Sequence, residues 1–376
     1  MTRLPEFRLE AYFARWEFTA RYHLTASDAQ TMTLTELLAL AGDDDRRAWE
    51  NLGLGYTPTA GDPALRRAIA DTYTSLDAED IVCFAGAEEG LYLAMQVLLG
   101  PDDHAVVITP NYQAAETVPM ALCAVSAVAL DPDRGWALDL QAVERALRPN
   151  TRVLSLCFPN NPTGKVIDAA DFGRLVELCE RRGIYVFSDE VHRGLERDPA
   201  RTLPQAADLS ERGLSLNVMS KALGLPGLRI GWIASRDRRL LACLERAKHY
   251  TTICNATPSE HLATIALKAR DRILARNRRI VDTNLPRFDA FFAEFADLFE
   301  WSHPDGGCVA FPRYRGRDGA EAFCCALVEG AGVLLVPASI FSSALTATPQ
   351  DRFRIGIGRR DAPEALETFA GWLRSR

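Results

Sequence analysis

The stretch Ser220-Lys221-Ala222-Leu223-Gly224-Leu225-Pro226-Gly227-Leu228-Arg229-Ile230-Gly231-Trp232 decides how this chain is read. An apolar run, Leu214 to Met219, precedes it, and a strand-like run, Ile230 to Ala234, follows. Taken alone, Lys221 is an ordinary solvated loop lysine. Between two strands that read as buried, ringed by glycine and with Arg229 eight residues on, it suits a covalent imine to an anionic cofactor.

Working outward, short apolar runs alternate with amphipathic helices from Leu65 to about Tyr250. Ile81–Phe84, Val106–Ile108, Ala124–Leu130, Val153–Cys157, Ile184–Phe187, Leu214–Val218 and Ile230–Ala234 read as strands. Ala87–Leu99, Leu138–Leu147 and Asp168–Arg182 read as helices. Continuous apolar strands alternating with helices imply an α/β fold with a mainly parallel sheet covered on both faces. After Tyr250 the pattern changes. Pro258 to about Leu298 is mostly helical, Gly307–Phe311, Val333–Val336 and Phe353–Ile357 read as strands, and further helices lie near Ala320 and Pro363. This is a smaller α+β domain. Ahead of both, Leu9, Phe13, Trp16 and Ala20 recur at helical spacing, and Thr33–Leu40 reads as a short helix. Asp43 to Arg47 reads as solvated surface. The expected division is an N-terminal arm joining the small domain (1–45), a large domain (46–250) and a small C-terminal domain (251–376).

The bulk properties agree with a globular protein. The 376 residues suffice for two domains, and 48% of them are hydrophobic. A formal charge of −7 argues against a nucleic-acid scaffold or a basic membrane-surface protein. Nine scattered cysteines, with no C-x-x-C, fit reduced thiols in the cytoplasm rather than a disulfide framework or a metal site. The N-terminus shows no signal-peptide pattern, and the longest nearly apolar stretch, Ala121 to Leu130, is about half the roughly 20 residues a membrane span needs.

Six further segments carry chemistry. Phe84-Ala85-Gly86-Ala87-Glu88-Glu89-Gly90 is a glycine turn between a strand and a helix, whose free N–H groups and positive dipole end suit a phosphate. Tyr112, just after a strand in Thr109-Pro110-Asn111-Tyr112, offers a flat face for a flat ring. Phe158-Pro159-Asn160-Asn161-Pro162-Thr163-Gly164 is a rigid turn at the C-terminal edge of a parallel strand, where ligands sit in open α/β sheets. Phe187-Ser188-Asp189-Glu190-Val191-His192 puts Asp189 at a strand end, where burial is costly unless a cation partners it. In Arg352-Phe353-Arg354-Ile355-Gly356-Ile357-Gly358, strand alternation sets Arg352 and Arg354 on one face and the apolar residues on the other, and an arginine fork matches a carboxylate. Gly55-Tyr56-Thr57-Pro58-Thr59-Ala60-Gly61 is a proline-glycine turn bearing an aromatic, with Leu65-Arg66 following.

In order and spacing, over about residues 50 to 360, these segments resemble the class I/II aminotransferases, fold-type I enzymes that use pyridoxal 5′-phosphate (PLP). The resemblance implies a Schiff base between PLP and Lys221, which acts as base and then acid. It implies a phosphate cup from Gly86, Ala87 and Glu88 with Ser220 and Arg229, and Tyr112 stacked on the pyridine ring. Asp189 holds the ring nitrogen protonated and is catalytic with Lys221. Asn161 and His192 meet the phenolic oxygen, Arg354 binds the substrate α-carboxylate with Asn161 nearby, and Tyr56 crosses a homodimer interface to the partner's phosphate. Substrates would be an amino acid and a 2-oxo acid. The sequence departs from the family in three places. His192 replaces the usual tyrosine, as in the cystathionine β-lyase-like branch. Val218 replaces the serine three residues before the lysine. Leu24-Thr25-Ala26-Ser27-Asp28-Ala29 lacks the usual Leu-x-x-Gly-x-Pro pattern of a segment that lies over the substrate, and the arm resembles that of capreomycidine synthase-like enzymes. A C–S lyase, another β- or γ-eliminating enzyme, or a cyclising enzyme of the same fold is therefore the alternative. A regulator with a retained PLP pocket, as in MocR-type proteins, fits less well, because the arm is short and not basic.

Overall fold

The computed structural model describes residues 4–376. Seven strands form its central sheet: β1 (Ile81–Phe84), β2 (His104–Thr109), β3 (Ala124–Ala129), β4 (Thr151–Cys157), β5 (Tyr185–Asp189), β6 (Gly213–Val218) and β7 (Gly231–Ala234). Their order is β1-β7-β6-β5-β4-β2-β3. All run parallel except β7, which is antiparallel to both neighbours. The strands are apolar along both faces because helices cover both. On one side lie α1 (Ala87–Leu98), with Leu91, Ala94, Met95 and Leu98 buried, and further on in the chain Arg238–Lys248, with Leu240, Leu241 and Leu244 buried. On the other lies the helix Ala169–Arg181, burying Phe172, Leu175, Val176 and Cys179. Each such aliphatic or aromatic side chain contributes about 1.5–3 kcal/mol when fully buried.

One contact fixes α1 against the sheet. A Cβ on Gly90 would meet Leu216 Cδ1 at 3.0 Å and Phe84 Cδ2 at 3.2 Å. Glycine there lets the first turn of α1 sit close to β1 and β6, which sets the height of the turn at Gly86.

Beyond the sheet, the helices Thr257–Lys268 and Arg270–Glu294 lead to a small antiparallel sheet of β8 (Val309–Ala310), β10 (Phe353–Gly356) and β9 (Val336–Pro337), with β10 central. Phe353 packs into an aromatic cluster with Phe299 and Phe323, ring centroids 5.8 and 6.0 Å away. The alternation expected in the sequence therefore turns Arg354 the other way. The arm is stitched to this region: Tyr22–His23 pairs in parallel with Val333–Leu334. The arm helix is shorter than its apolar spacing implies. It spans Arg8–Trp16 and leaves Ala20 outside, because Thr19 turns back onto the Trp16 carbonyl (3.1 Å) and the chain must enter the pairing at Tyr22. Asp43 to Arg47, read as solvated surface, is mostly exposed but opens a helix, Asp43–Glu50, with three acidic residues in its first turn, where they complement the helix dipole. No described helix is long and apolar enough to cross a membrane.

Candidate active site

A cleft of about 890 Å³ lies along the C-terminal ends of the parallel strands and is closed by β10 and the arm. Strand direction explains who lines it. β4 ends at Cys157 before Asn161, β5 ends at Asp189, β6 ends at Val218 before Ser220 and Lys221, and β7 begins just after Arg229. Cys157 and Asp189 are direct partners across β4 and β5.

The Lys221 amine donates to Oγ of Ser27 at 2.8 Å. Burial lowers its pKa and Arg354 adds to this, while Asp28 and Asp189 oppose. Asp189 accepts the Val191 N–H at 3.1 Å, and burial pushes its carboxyl up to about 6. Glu88, open to the cleft but walled by protein, is pushed up to about 7, chiefly by burial and then by Asp189 and Glu10. The Tyr112 ring is held by Phe7 of the arm, centroids 5.2 Å apart.

Arg354 is 1% exposed and has no carboxylate partner among the described residues. Its Nη1 donates to Asn161 Oδ1 (3.0 Å) and its Nη2 to the Thr25 carbonyl (2.8 Å), while Nε has no partner among the described residues. Burial brings its pKa down to about 10, so it stays charged at neutral pH. The Arg354 bond occupies the Asn161 amide oxygen and leaves its NH₂ as the free donor.

At the other end of the cleft, Gly86 adopts φ 94°, ψ 169° and no side chain caps the N-terminus of α1. A Cβ on Gly86 would lie 2.5 Å from Nη2 of Arg229, so the guanidinium rests against the glycine turn. Nearby, Gly231 brings β7 equally close: its Cβ would meet the Ala87 amide nitrogen at 2.7 Å. His192 is 2% exposed. Burial, with Lys221 and Arg354, lowers it to about 3, so its ring is neutral. Its Nδ1 and the Ser220 hydroxyl are buried without a partner among the described residues.

A family model described as aminotransferase class I and II matches residues 24–368. The chain belongs to that family. It is similar to capreomycidine synthase of Streptomyces vinaceus, 30% identical over 357 residues, covering 94% of this chain and 90% of the relative. It is also similar to the probable N-succinyldiaminopimelate aminotransferase DapC of Mycobacterium tuberculosis, 32% identical over 296 residues, 76% of this chain and 74% of the relative. A PLP-dependent aminotransferase from Streptococcus suis superposes with a TM-score of 0.91 at 29% identity, covering 99% and 98% of the two chains.

The cofactor of this aminotransferase family is pyridoxal phosphate, and the residues fit it. The uncapped first turn of α1, the Arg229 guanidinium and the unpartnered Ser220 hydroxyl make an anion cradle. The unpartnered His192 Nδ1 and the free Asn161 amide supply polar groups for a ring substituent. Asp189, raised by burial, calls for the cation that a protonated ring nitrogen would be.

The residues singled out in the sequence therefore converge, with one exception. Gly86 flanks the cleft, and Ala87, Glu88, Tyr112, Asn161, Asp189, His192, Ser220, Lys221, Arg229 and Arg354 line it. Tyr56 does not: it is 94% exposed and outside the cleft of its own chain. Sequence reasoning missed Ser27, which touches the lysine, and Thr25, which holds Arg354. The sequence marked their segment, Leu24–Ala29, as departing from the family pattern, but not which of its residues make these contacts.

Proposed function

We propose that this chain is a cytoplasmic, homodimeric PLP-dependent aminotransferase that moves an amino group from an L-amino acid to a 2-oxo acid. One observation carries the reading. The Lys221 amine, the Asp189 carboxyl and the Arg354 fork face one cleft, and none has an ionic partner within the chain among the described residues. When bound, PLP supplies a carbonyl for an amine and a ring that takes up electrons from the substrate's Cα.

The protein does the rest. Arg354 binds the α-carboxylate through its unpartnered edge and orients the amino acid. Lys221 Nζ, its pKa lowered by burial, takes the Cα proton, holds it and gives it back. Asp189 holds the proton at the ring nitrogen. Asn161 NH₂ and His192 hold the phenolic oxygen, and Tyr112 supports one ring face. Gly86, Ala87 and Glu88, at the start of α1, with Ser220 and Arg229, hold the phosphate, joined by the partner protomer's copy of the Tyr56 loop.

A second reading, elimination or cyclisation, is favoured by His192 in place of tyrosine and by the likeness to capreomycidine synthase, which extends over the arm as well. Supplying purified enzyme with an amino donor and no oxo acid separates the two. Transamination yields about one equivalent of oxo acid per site and no ammonia. Sustained ammonia release would overturn the transferase reading.

A further inference from the structure

The tip of Lys221 is engaged. Its Nζ donates at 2.8 Å to the hydroxyl of Ser27, a residue 194 positions away and 8% exposed. The segment that carries Ser27 is fixed along its length. The Gly356 N–H bonds the Leu24 carbonyl (2.9 Å), Arg354 Nη2 the Thr25 carbonyl (2.8 Å), and Arg359 the Asp28 carboxylate (2.8 Å). The Ala29 N–H bonds the Lys221 carbonyl (3.0 Å), and the Gln30 N–H bonds the Gly358 carbonyl (2.9 Å). Two glycines allow the approach. A Cβ on Gly356 would sit 2.5 Å from the Ala26 carbonyl oxygen, and one on Gly224 would sit 2.6 Å from that of Gln30.

We infer that Ser27 is a further catalytic residue, whose hydroxyl holds the Lys221 amine in reaction geometry whenever Nζ is not bonded to the cofactor. This rests on the reading of Lys221 above. A hydroxyl suits both states of that amine. It accepts from the ammonium and donates to the lone pair of the neutral amine, without adding charge. A glycine would leave the amine to rotate, and a carboxylate would favour the ammonium alone. No proton passes to Ser27: the one that Nζ takes stays on Nζ until it returns to substrate. The charged and titratable groups facing Nζ are Asp28 from the arm, Glu88 from α1, Cys157 from β4, Asp189 from β5, His192 from the turn after it, and Cys308 and Arg354 from the C-terminal region. Because Thr25, two residues before Ser27, also holds Arg354, one segment fixes both the carboxylate anchor and the base.

The test uses loaded enzyme and the variants Ser27→Ala, Ser27→Thr and Ser27→Asp. Ser27→Ala should slow the donor half-reaction about tenfold at saturating donor, the effect of one hydrogen bond. Its KM and melting temperature should be nearly unchanged, and Ser27→Thr, which keeps the hydroxyl, should recover most of the rate. The absorbance titration of the resting, lysine-linked cofactor gives a readout independent of turnover. Ser27→Asp should move its midpoint up by about one pH unit or more, because an anion beside Nζ favours the protonated nitrogen. Ser27→Ala at wild-type rate, a loss that follows KM or melting and is not recovered by Ser27→Thr, or an unmoved midpoint in Ser27→Asp would each overturn the inference. Lys221→Ala separates the two readings. If the lysine-linked band persists in that variant, the assignment of Lys221 itself fails. If the band is lost but the Ser27 variants behave as wild type, only the role of Ser27 fails.

Discussion

Gly86→Ala tests the phosphate cradle with the least chemistry. The backbone at Gly86 has φ 94° and ψ 169°, a region essentially restricted to glycine. Forcing an L side chain into it costs about 1–3 kcal/mol. The new methyl would also lie 2.5 Å from Arg229 Nη2, so the guanidinium has to leave the turn. Losing one hydrogen bond to a charged group costs a further 1.5–3 kcal/mol or so. If both terms bear on cofactor binding, they sum to about 2.5–6 kcal/mol, roughly a hundred- to ten-thousand-fold in affinity for PLP. Gly135→Ala is the control. It also has positive φ, 59°, but a Cβ there meets nothing within 4 Å, so it should lose a little stability and no affinity. Equilibrium dialysis against PLP, with thermal melts of loaded and cofactor-free protein, reads both quantities. A Gly86→Ala variant that binds PLP within threefold of wild type would refute the argument that this turn and Arg229 form the anion site.

Three further predictions concern Asp189 and Tyr56. Asp189→Ala should lower turnover by several orders of magnitude and Asp189→Asn nearly as much, and a variant retaining most of wild-type kcat would count against its role at the ring nitrogen. The pH dependence gives a second handle on that carboxyl. Burial holds it up to about 6, against about 3.9 in an unfolded chain, so without cofactor the folded state keeps a proton that the unfolded state has lost, and stability falls as pH rises through that window. Urea melts of cofactor-free protein at pH 4.5 and 6.5 should show a smaller decline in Asp189→Asn than in wild type, and loading with PLP should reduce it in wild type; equal slopes in the two proteins would be incompatible with a buried, protonated Asp189. Mixing inactive Tyr56 and Lys221 variants should restore part of the activity through hybrid dimers, and a fully active monomer in sedimentation would rule out the shared site.

Much of the cofactor side of this site was legible because several of its residues follow the end of a strand. Asp189, Asn161 and Lys221 follow apolar runs that can only be buried strands, so a polar residue at the run's end must face the sheet edge. Arg354 was legible by alternation, since Phe353 and Ile355 claim the core face. The direction of β7 was not legible, because an apolar strand reads the same in either sense and only its pairing with β1 and β6 decides it. Ser27 was out of reach for another reason. Its contact with Lys221 depends on how the arm docks, and nothing local distinguishes a serine that touches a lysine 194 residues away from one that touches water.

The electrostatics of the cleft explain why that contact is made by a hydroxyl. A buried lysine becomes a nucleophile only if its surroundings do not hold it as an ammonium. Two carboxylates are near enough to do so. Asp28 is paired with Arg359 at 2.8 Å, which takes up much of its charge. Asp189, raised by burial to about 6, lies near Nζ, and a protonated ring nitrogen would claim its charge once the cofactor is in place. Arg354, immobilised by Asn161 and Thr25, adds a positive charge that further disfavours the ammonium. With Asp28 paired to Arg359 and a cation alongside, the direct partner left to Nζ is a neutral hydroxyl, and burial, the largest influence, lowers the pKa of the amine.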